Sequence, residues 1–213
     1  MEAFSKNQLE RYPLYLKYFK ELKAAGEDNV SSPKIAQKLG YSEEQVRKDL
    51  QAISTEPGLP KKGRNLQNLI DDLETFLGYK DVTSAVIVGV GHLGAALMNF
   101  PAFKEMGLKI LCGFDSDPAK QGKLPNGKEV FPIEKLPNLL TRLNAHIVII
   151  TVPSSAAQAV ADKAIASGAK ALWNFAPIHL ETPSDIVIEN VNLASSLAVL
   201  SHRLNQQIAE EEK

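Results

Sequence analysis

The residues best suited to chemistry in this chain are three glycines and an aspartate. Gly89, Gly91 and Gly94 stand in G-x-G-x-x-G order, directly after the apolar run Ala85-Val86-Ile87-Val88 and before the helix formers Ala95, Ala96, Leu97 and Met98. Strand, glycine turn, helix is the phosphate-binding entry of a dinucleotide fold. Gly89 permits the tight turn, Gly91 lets the backbone approach a pyrophosphate, and Gly94 lets the helix lie close to the strand. Backbone N–H groups at the helix start face the anion, which adds Val90, His92 and Leu93 to the candidates. About twenty residues further on, Asp115 closes a second strand run, where such folds hold the acid that accepts from the adenosine ribose hydroxyls. Its charge would repel a 2′-phosphate and so favour NAD over NADP. The alternative is an Asx-type turn over Asp115-Ser116-Asp117-Pro118, with Asp117 as the competing carboxylate.

Two more strand ends join this set. Thr151, Val152 and Pro153 follow the run His146-Ile147-Val148-Ile149-Ile150, at the carboxyl end where doubly wound sheets bind ligands. Asn174, Phe175, Ala176 and Pro177 form another strand end and loop, suited to covering a nicotinamide ring. Catalysis finds less support, and no catalytic residue is assigned. His92, His146, His179 and His202 show neither an acid–base partner nor metal-ligand spacing. The single cysteine, Cys112, lies in a strand pattern and reads as a buried, inert thiol.

The elements that must position these residues belong to an ordinary globular chain, 44% hydrophobic and 23% charged. Its longest apolar run, 147–152, is far short of the ~20 residues that span a bilayer, so no membrane segment is expected. Met1-Glu2-Ala3-Phe4-Ser5-Lys6 lacks the apolar core of a signal peptide, and a cytoplasmic protein is expected. Charge is uneven: residues 1–66 carry 12 Lys+Arg against 9 Asp+Glu, residues 67–213 carry 12 against 16. That excess is too small to imply nucleic acid by itself, so local placement has to decide.

From the N-terminus, Leu9, Tyr12, Leu16, Phe19 and Leu22 predict a helix over 5–26, broken into a lead-in and a main part at Pro13. Ser32 is expected to cap a short helix with Pro33 at its first position, and Gly40 to end it. Ser42 begins a third helix, with Gln45 at capping-box spacing and Val46, Leu50 and Ile53 on the buried side. The last two helices form a helix-turn-helix. On the outer face of the third, Gln45 and Arg47 can read base edges and Lys48 suits phosphates; Gln51 shares that face, and Ser42 opens the same helix as a further DNA-binding candidate. The Pro/Gly-rich loop that follows resembles the basic wing of a winged-helix domain, with Lys61, Lys62 and Arg64 along the sugar-phosphate backbone. The alternative is a solvated charged helix and a flexible linker. An amphipathic helix from Leu66 to Leu77 then reads as the connection between domains.

From residue 82 the pattern is α/β, with Ser154 as cap of a helix over 155–167 and a last strand over 186–191. Asn192 can cap a terminal helix whose stripe of Leu193, Leu197, Leu200, Leu204 and Ile208 packs on its own sheet or on a partner. The fold class is α/β: an N-terminal winged-helix domain with linker helix (1–80), a Rossmann-type doubly wound parallel sheet (81–191) and a C-terminal dimerisation helix (192–213).

Several stretches together resemble the Rex family of redox-sensing transcriptional repressors, across nearly the whole chain. They are Leu14-Tyr15 with Val30-Ser31-Ser32, Gln45-Val46-Arg47-Lys48-Asp49-Leu50, Val88-Gly89-Val90-Gly91-His92-Leu93-Gly94, Gly113-Phe114-Asp115-Ser116-Asp117-Pro118, Thr151-Val152-Pro153, Asn174-Phe175-Ala176-Pro177 and Glu189-Asn190-Val191. The resemblance implies a homodimer that exchanges its C-terminal helix and binds double-stranded operator DNA. It also implies NAD(H) as cofactor, with NADH releasing the DNA and NAD⁺ permitting the bound form. Two departures stand out. The family usually follows the Arg-Lys-Asp-Leu core with Ser-Tyr-Phe-Gly, whereas this chain reads Gln51-Ala52-Ile53-Ser54-Thr55-Glu56-Pro57-Gly58. Members also commonly carry Asp where this chain has Asn192, and an amide cannot make the same charge-assisted contacts. The competing readings are an NAD-dependent oxidoreductase and an NAD(H)-binding protein that has lost DNA recognition.

Overall fold

The structure, a computed structural model, describes residues 4–58, 62–81 and 83–211. The chain divides into two compact units, 1–81 and 82–213.

In the first unit, α1 (Lys6–Ala24) starts where Ser5 Oγ accepts the Gln8 N–H, and it buries Tyr12, Tyr15, Leu16, Tyr18, Phe19 and Leu22. Two expectations fail here. Leu9 lies outside this face, 42% exposed. Pro13 does not break the helix but sits inside it. Tyr12 and Tyr15, on either side of the proline, are both buried and both donate to Asp49, so tertiary anchoring outweighs the lost helical hydrogen bond. After β1 (Asn29–Val30) comes α2 (Ser32–Leu39). Its cap is Ser31 rather than Ser32, and Gly40 ends it in the left-handed region at φ 72°. Ser42 Oγ accepts the Gln45 N–H and opens α3 (Glu43–Ile53), which buries Val46, Asp49 and Leu50. The short strand β2 (Arg64–Asn65) pairs antiparallel with β1. Gly63 makes that pairing possible: its φ is +77°, and a Cβ there would lie 2.3 Å from Val30 O.

Helix α4 (Leu66–Phe76) is not a connector. It buries Leu66, Leu69, Ile70 and Leu73 in the same core as Tyr15, Phe19, Ile35 and Val46, and so closes the first unit.

The second unit is a seven-stranded sheet of β3 (Thr83–Val88), β4 (Leu108–Asp115), β5 (Gly122–Lys123), β6 (Glu129–Pro132), β7 (Ile147–Ile150), β8 (Ala171–Asn174) and β9 (Val187–Asn190). The spatial order is β5-β6-β4-β3-β7-β8-β9, parallel throughout except for β5. Both faces are covered, which is why β7 is apolar at every position and β3 is apolar from Ala85 to Val88, where it is buried. Val86, Val88, Val148 and Ile150 pack with α7 (Leu136–Arg142) and α8 (Ser154–Ala166). Ala85, Ile87 and Ile149 face the other way, with residues of α5 (His92–Met98) and α6 (Ala102–Glu105). Chain order reverses at β3, which has β4 on one side and β7 on the other. That topological switch point is where doubly wound sheets bind ligands. Ser154 is the first residue of α8 and not its cap, a position held by Pro153 without any side-chain bond. Asn192 Oδ1 accepts the Ser195 N–H and starts α9 (Leu193–Glu211), none of whose residues is buried.

Candidate functional site

The glycine turn between β3 and α5 is held from both sides. The Val90 N–H donates to Asp115 Oδ2 at 2.7 Å, and Thr151 Oγ1 donates to Gly89 O at 2.6 Å. The fold requires two of the three glycines, each for a different reason. Gly89 has φ +94°, and a Cβ on it would lie 2.7 Å from Val152 Cγ1. A Cβ on Gly94 would lie 2.0 Å from Gly89 O, so only glycine lets α5 close on the turn. A Cβ on Gly91 would meet nothing within 4 Å; its side faces open space.

That space is a cleft of about 690 Å³ at the carboxyl ends of β3, β4 and β7. Of the residues expected from sequence it brings together Gly89, Gly91, Leu93, Asp115, Thr151, Val152, Pro153 and Phe175. The remaining candidates do not line it. Val90 is buried and contributes its N–H to Asp115; His92 is exposed outside the lining; Gly94 serves the packing of α5. Asn174 is fully buried with its amide spent internally: Nδ2 donates to Ala176 O, Ile178 O and Asn190 Oδ1, and Oδ1 accepts the Ala176 N–H. Ala176 is buried and Pro177 lies outside the lining, so of this loop only Phe175 reaches the cleft.

Sequence reasoning missed the cations of the cleft. Lys120 Nζ stands 3.7 Å from Asp115 and 3.9 Å from Asp117, so the acid expected to repel a 2′-phosphate has a counter-charge beside it. Asp115 itself is buried, and Oδ1 accepts the Asp117 N–H at 2.9 Å; each carboxylate oxygen keeps a lone pair for a hydroxyl donor. Lys163 arrives from α8, on a stripe with Ala156 and Val160 whose helical spacing carried the signal. The cleft thus offers a bare backbone turn, a carboxylate, two ammonium groups and an aromatic face, a donor set that fits a dinucleotide.

Acid–base and thiol chemistry have no comparable site. His92, His146, His179 and His202 are exposed and lie on separate elements. Burial pushes the Cys112 thiol up to about 11, with help from Glu129. Among the described residues, no group of three or more His, Cys, Asp or Glu is placed to hold a metal ion.

The first unit carries a second, basic cleft of about 670 Å³. Arg47, Lys62 and Arg64 line it, with Ser31, Ser32 and Lys34, none of which was among the expected DNA-contacting residues. Arg64 is partly committed, because Nη1 donates to Glu56 O at 2.6 Å and closes the loop on itself. Lys48 and Gln51 are exposed on α3 outside the lining of this cleft, Gln45 is half-buried, and Ser42 is spent as the cap. Lys48 pairs with Glu44 one turn back at 2.8 Å, which raises the lysine and lowers the glutamate; both are in water and free to re-pair. Lys61 lies outside the described residues.

The profile of the family described as "CoA binding domain" matches residues 80–178, and that of "Putative DNA-binding protein N-terminus" matches residues 4–51. The chain is 41% identical over 196 residues to "Redox-sensing transcriptional repressor Rex" of Desulforamulus reducens, covering 92% of this chain and 93% of the relative. Solved structures of RSP, a Rex-family repressor, cover 100% of this chain. Its complex with β-NAD⁺ and operator DNA superposes with a TM-score of 0.91 at 32% identity, covering 100% of this chain and 97% of that one. Its complex with β-NADH gives 0.88 at 31% identity, covering 100% and 99%.

Proposed function

The chain belongs to the Rex family of redox-sensing transcriptional repressors and is a DNA-binding repressor rather than an enzyme; on that premise we propose how its own residues divide the work. Residues 1–80 form the DNA-binding module, 81–191 the NAD(H)-binding module and 192–213 the dimerisation helix. The observation that carries this reading is the cleft at the switch point, where Gly91 leaves the backbone open beside Asp115 and Lys120.

In this reading the turn takes the pyrophosphate through the backbone N–H groups of Gly91 and Leu93, since that of Gly89 already donates to Phe114 O at 2.8 Å. Asp115 accepts from the adenosine ribose, Thr151, Val152 and Pro153 form the floor, and Phe175 lies against the nicotinamide end. Bound NAD(H) supplies a redox state to be sensed and undergoes no turnover. Arg47, Lys48 and Gln51 face the major groove, while Lys62 and Arg64 track the phosphates beside it. A homodimer sets two such helices in successive major grooves about one helical turn apart. The protein works in the cytoplasm; among the described residues no helix is long and apolar enough to cross a membrane.

Regulation follows from linkage. A ligand shifts an equilibrium only by its differential affinity for two states, so NADH must bind better to the dimer form that fits the operator worse. DNA must then weaken NADH by the same factor that NADH weakens DNA. The test is a mobility shift on an operator-containing duplex, titrated across the NADH/NAD⁺ ratio. Release as the ratio rises is expected. Binding untouched by saturating NADH sinks the proposal.

A further inference from the structure

The buried face of the recognition helix carries a charge. Asp49, 3% exposed, follows Arg47 and Lys48 directly on α3. Arg11 of α1 grips its carboxylate with a two-pronged fork, Nε to Oδ2 at 2.7 Å and Nη2 to Oδ1 at 2.8 Å. Tyr15 OH donates to Oδ2 at 2.8 Å, and Tyr12 OH donates to the main-chain oxygen of Asp49 at 3.1 Å. The same guanidinium donates to Asn7 O at 3.0 Å and lies over the ring of Tyr41, in the turn that joins α2 to α3. One side chain therefore ties α1 to its own backbone, to the recognition helix and to the turn before it.

Stability alone does not account for this arrangement. Apolar residues of similar volume commonly do as well as a buried ion pair, whose best-attested use is to fix register. The other inward residues of α3, Val46 and Leu50, make apolar contacts that have no preferred direction. A fork has one plane and one distance. Turning α3 by about 20° carries the head of Arg47, about 8 Å from the helix axis, through roughly 3 Å, beyond the tolerance of a hydrogen bond. The Asp49 hydrogen bond holds the Arg11 guanidinium above its usual range, and burial raises the Tyr15 phenol, so Arg11 stays charged and the Tyr15 hydroxyl keeps its proton near neutrality.

We propose that Asp49, Arg11 and Tyr15 are a positioning cluster that sets the rotation of α3 on α1, and with it the direction in which Arg47, Lys48 and Gln51 meet base edges. This rests on the DNA-binding reading above, and none of the three touches DNA itself. The test uses the full-length dimer and two duplexes: one selected from a random pool by the native protein, and a scrambled control of equal composition. A triple variant, Arg11→Met with Tyr15→Phe and Asp49→Leu, keeps an apolar core of similar volume. It is expected to melt cooperatively near the native temperature and to lose about tenfold or more in preference for the selected duplex, the scale of a lost base contact. Its salt dependence should be unchanged, because no phosphate contact is lost, whereas Arg47→Ala controls for a direct contact. Arg11→Lys keeps the charge without the fork and should lose part of the preference, which decides the matter if the triple variant does not fold. A folded variant with native preference overturns the cluster's role while leaving the repressor reading intact. Loss of affinity for both duplexes in parallel overturns it too, since that is the mark of lost folding. If the native protein selects no duplex at all, the DNA-binding reading fails and takes this inference with it.

Discussion

At the scale of single residues, the last two glycines of the turn separate structure from ligand. Gly91 has φ −78°, an ordinary value for any residue, and open space where its side chain would be. Gly94 has the oxygen of Gly89 at 2.0 Å and Thr151 Oγ1 at 2.9 Å from a hypothetical Cβ. Backbone cannot step aside as a flexible side chain would. Gly94→Ala should therefore cost about 3 kcal/mol or more, the upper end for overpacking, and abolish NADH binding with it. Gly91→Ala should leave the denaturation midpoint within about 0.5 kcal/mol of native, as surface changes do, yet weaken NADH, because the methyl enters the cleft. Urea melts and NADH fluorescence titrations on both variants check this. A Gly94→Ala protein of native stability, or a Gly91→Ala protein of native NADH affinity, contradicts the division of roles. Asn174 shows the opposite error of scale. Its type and strand-end position suggested a ligand contact, but its polar atoms go to Ala176, Ile178 and Asn190. Side-chain type reveals what a residue can bind and never which partner reaches it first.

At the scale of elements, α1 shows what local sequence can and cannot say. An interior proline disfavours a helix by about 3 kcal/mol, and local reasoning accordingly breaks the helix at Pro13. The helix persists because Tyr12, Tyr15, Leu16 and Phe19 are buried around the proline, and that core involves α3 and α4, which lie far along the chain. Replacing Pro13 by Ala restores the missing N–H donor and should stabilise the first unit by about 1–3 kcal/mol, raising its melting temperature by roughly 4–8 °C per kcal/mol. Calorimetry on the full chain measures it; a lower melting temperature would mean that packing of the half-buried ring outweighs the bond. The same contrast runs through the whole chain. Turns and caps at Gly40, Ser42, Gly89 and Asn192 were legible because their causes lie within a few residues. The buried charge of Asp49 was not, because its partner Arg11 is 38 positions away. Amphipathic α4 announced a buried face without saying which core would receive it.

At the scale of the whole molecule, α9 is the element that one chain leaves unfinished. Leu193, Leu197, Leu200, Leu204 and Ile208 form one stripe, between 44% and 66% exposed, and the helix buries none of its residues. Covering what remains exposed of these five side chains, about half of each, is worth roughly 4–8 kcal/mol, since full burial brings about 1.5–3 kcal/mol apiece. Reciprocal exchange between two copies counts that gain twice, enough to exceed the roughly 4–15 kcal/mol lost in bringing two molecules together. A self-complementary interface of this kind also yields the two-fold symmetry that a palindromic operator requires. Putting charges into the stripe, as Leu200→Lys with Leu204→Glu, should give a folded monomer by light scattering, since the stripe contributes to neither unit's core. Two linked recognition helices gain affinity from each other's tethering, so the monomer should lose at least about 100-fold in operator affinity. NADH should still bind, because the switch-point cleft is built from residues of one chain. What the monomer must lose is the antagonism: with no second helix whose spacing can be spoiled, NADH should no longer change what little DNA binding remains. A charged-stripe variant that stays dimeric would move the interface elsewhere. A monomer that still releases DNA on NADH would place the switch within a single chain.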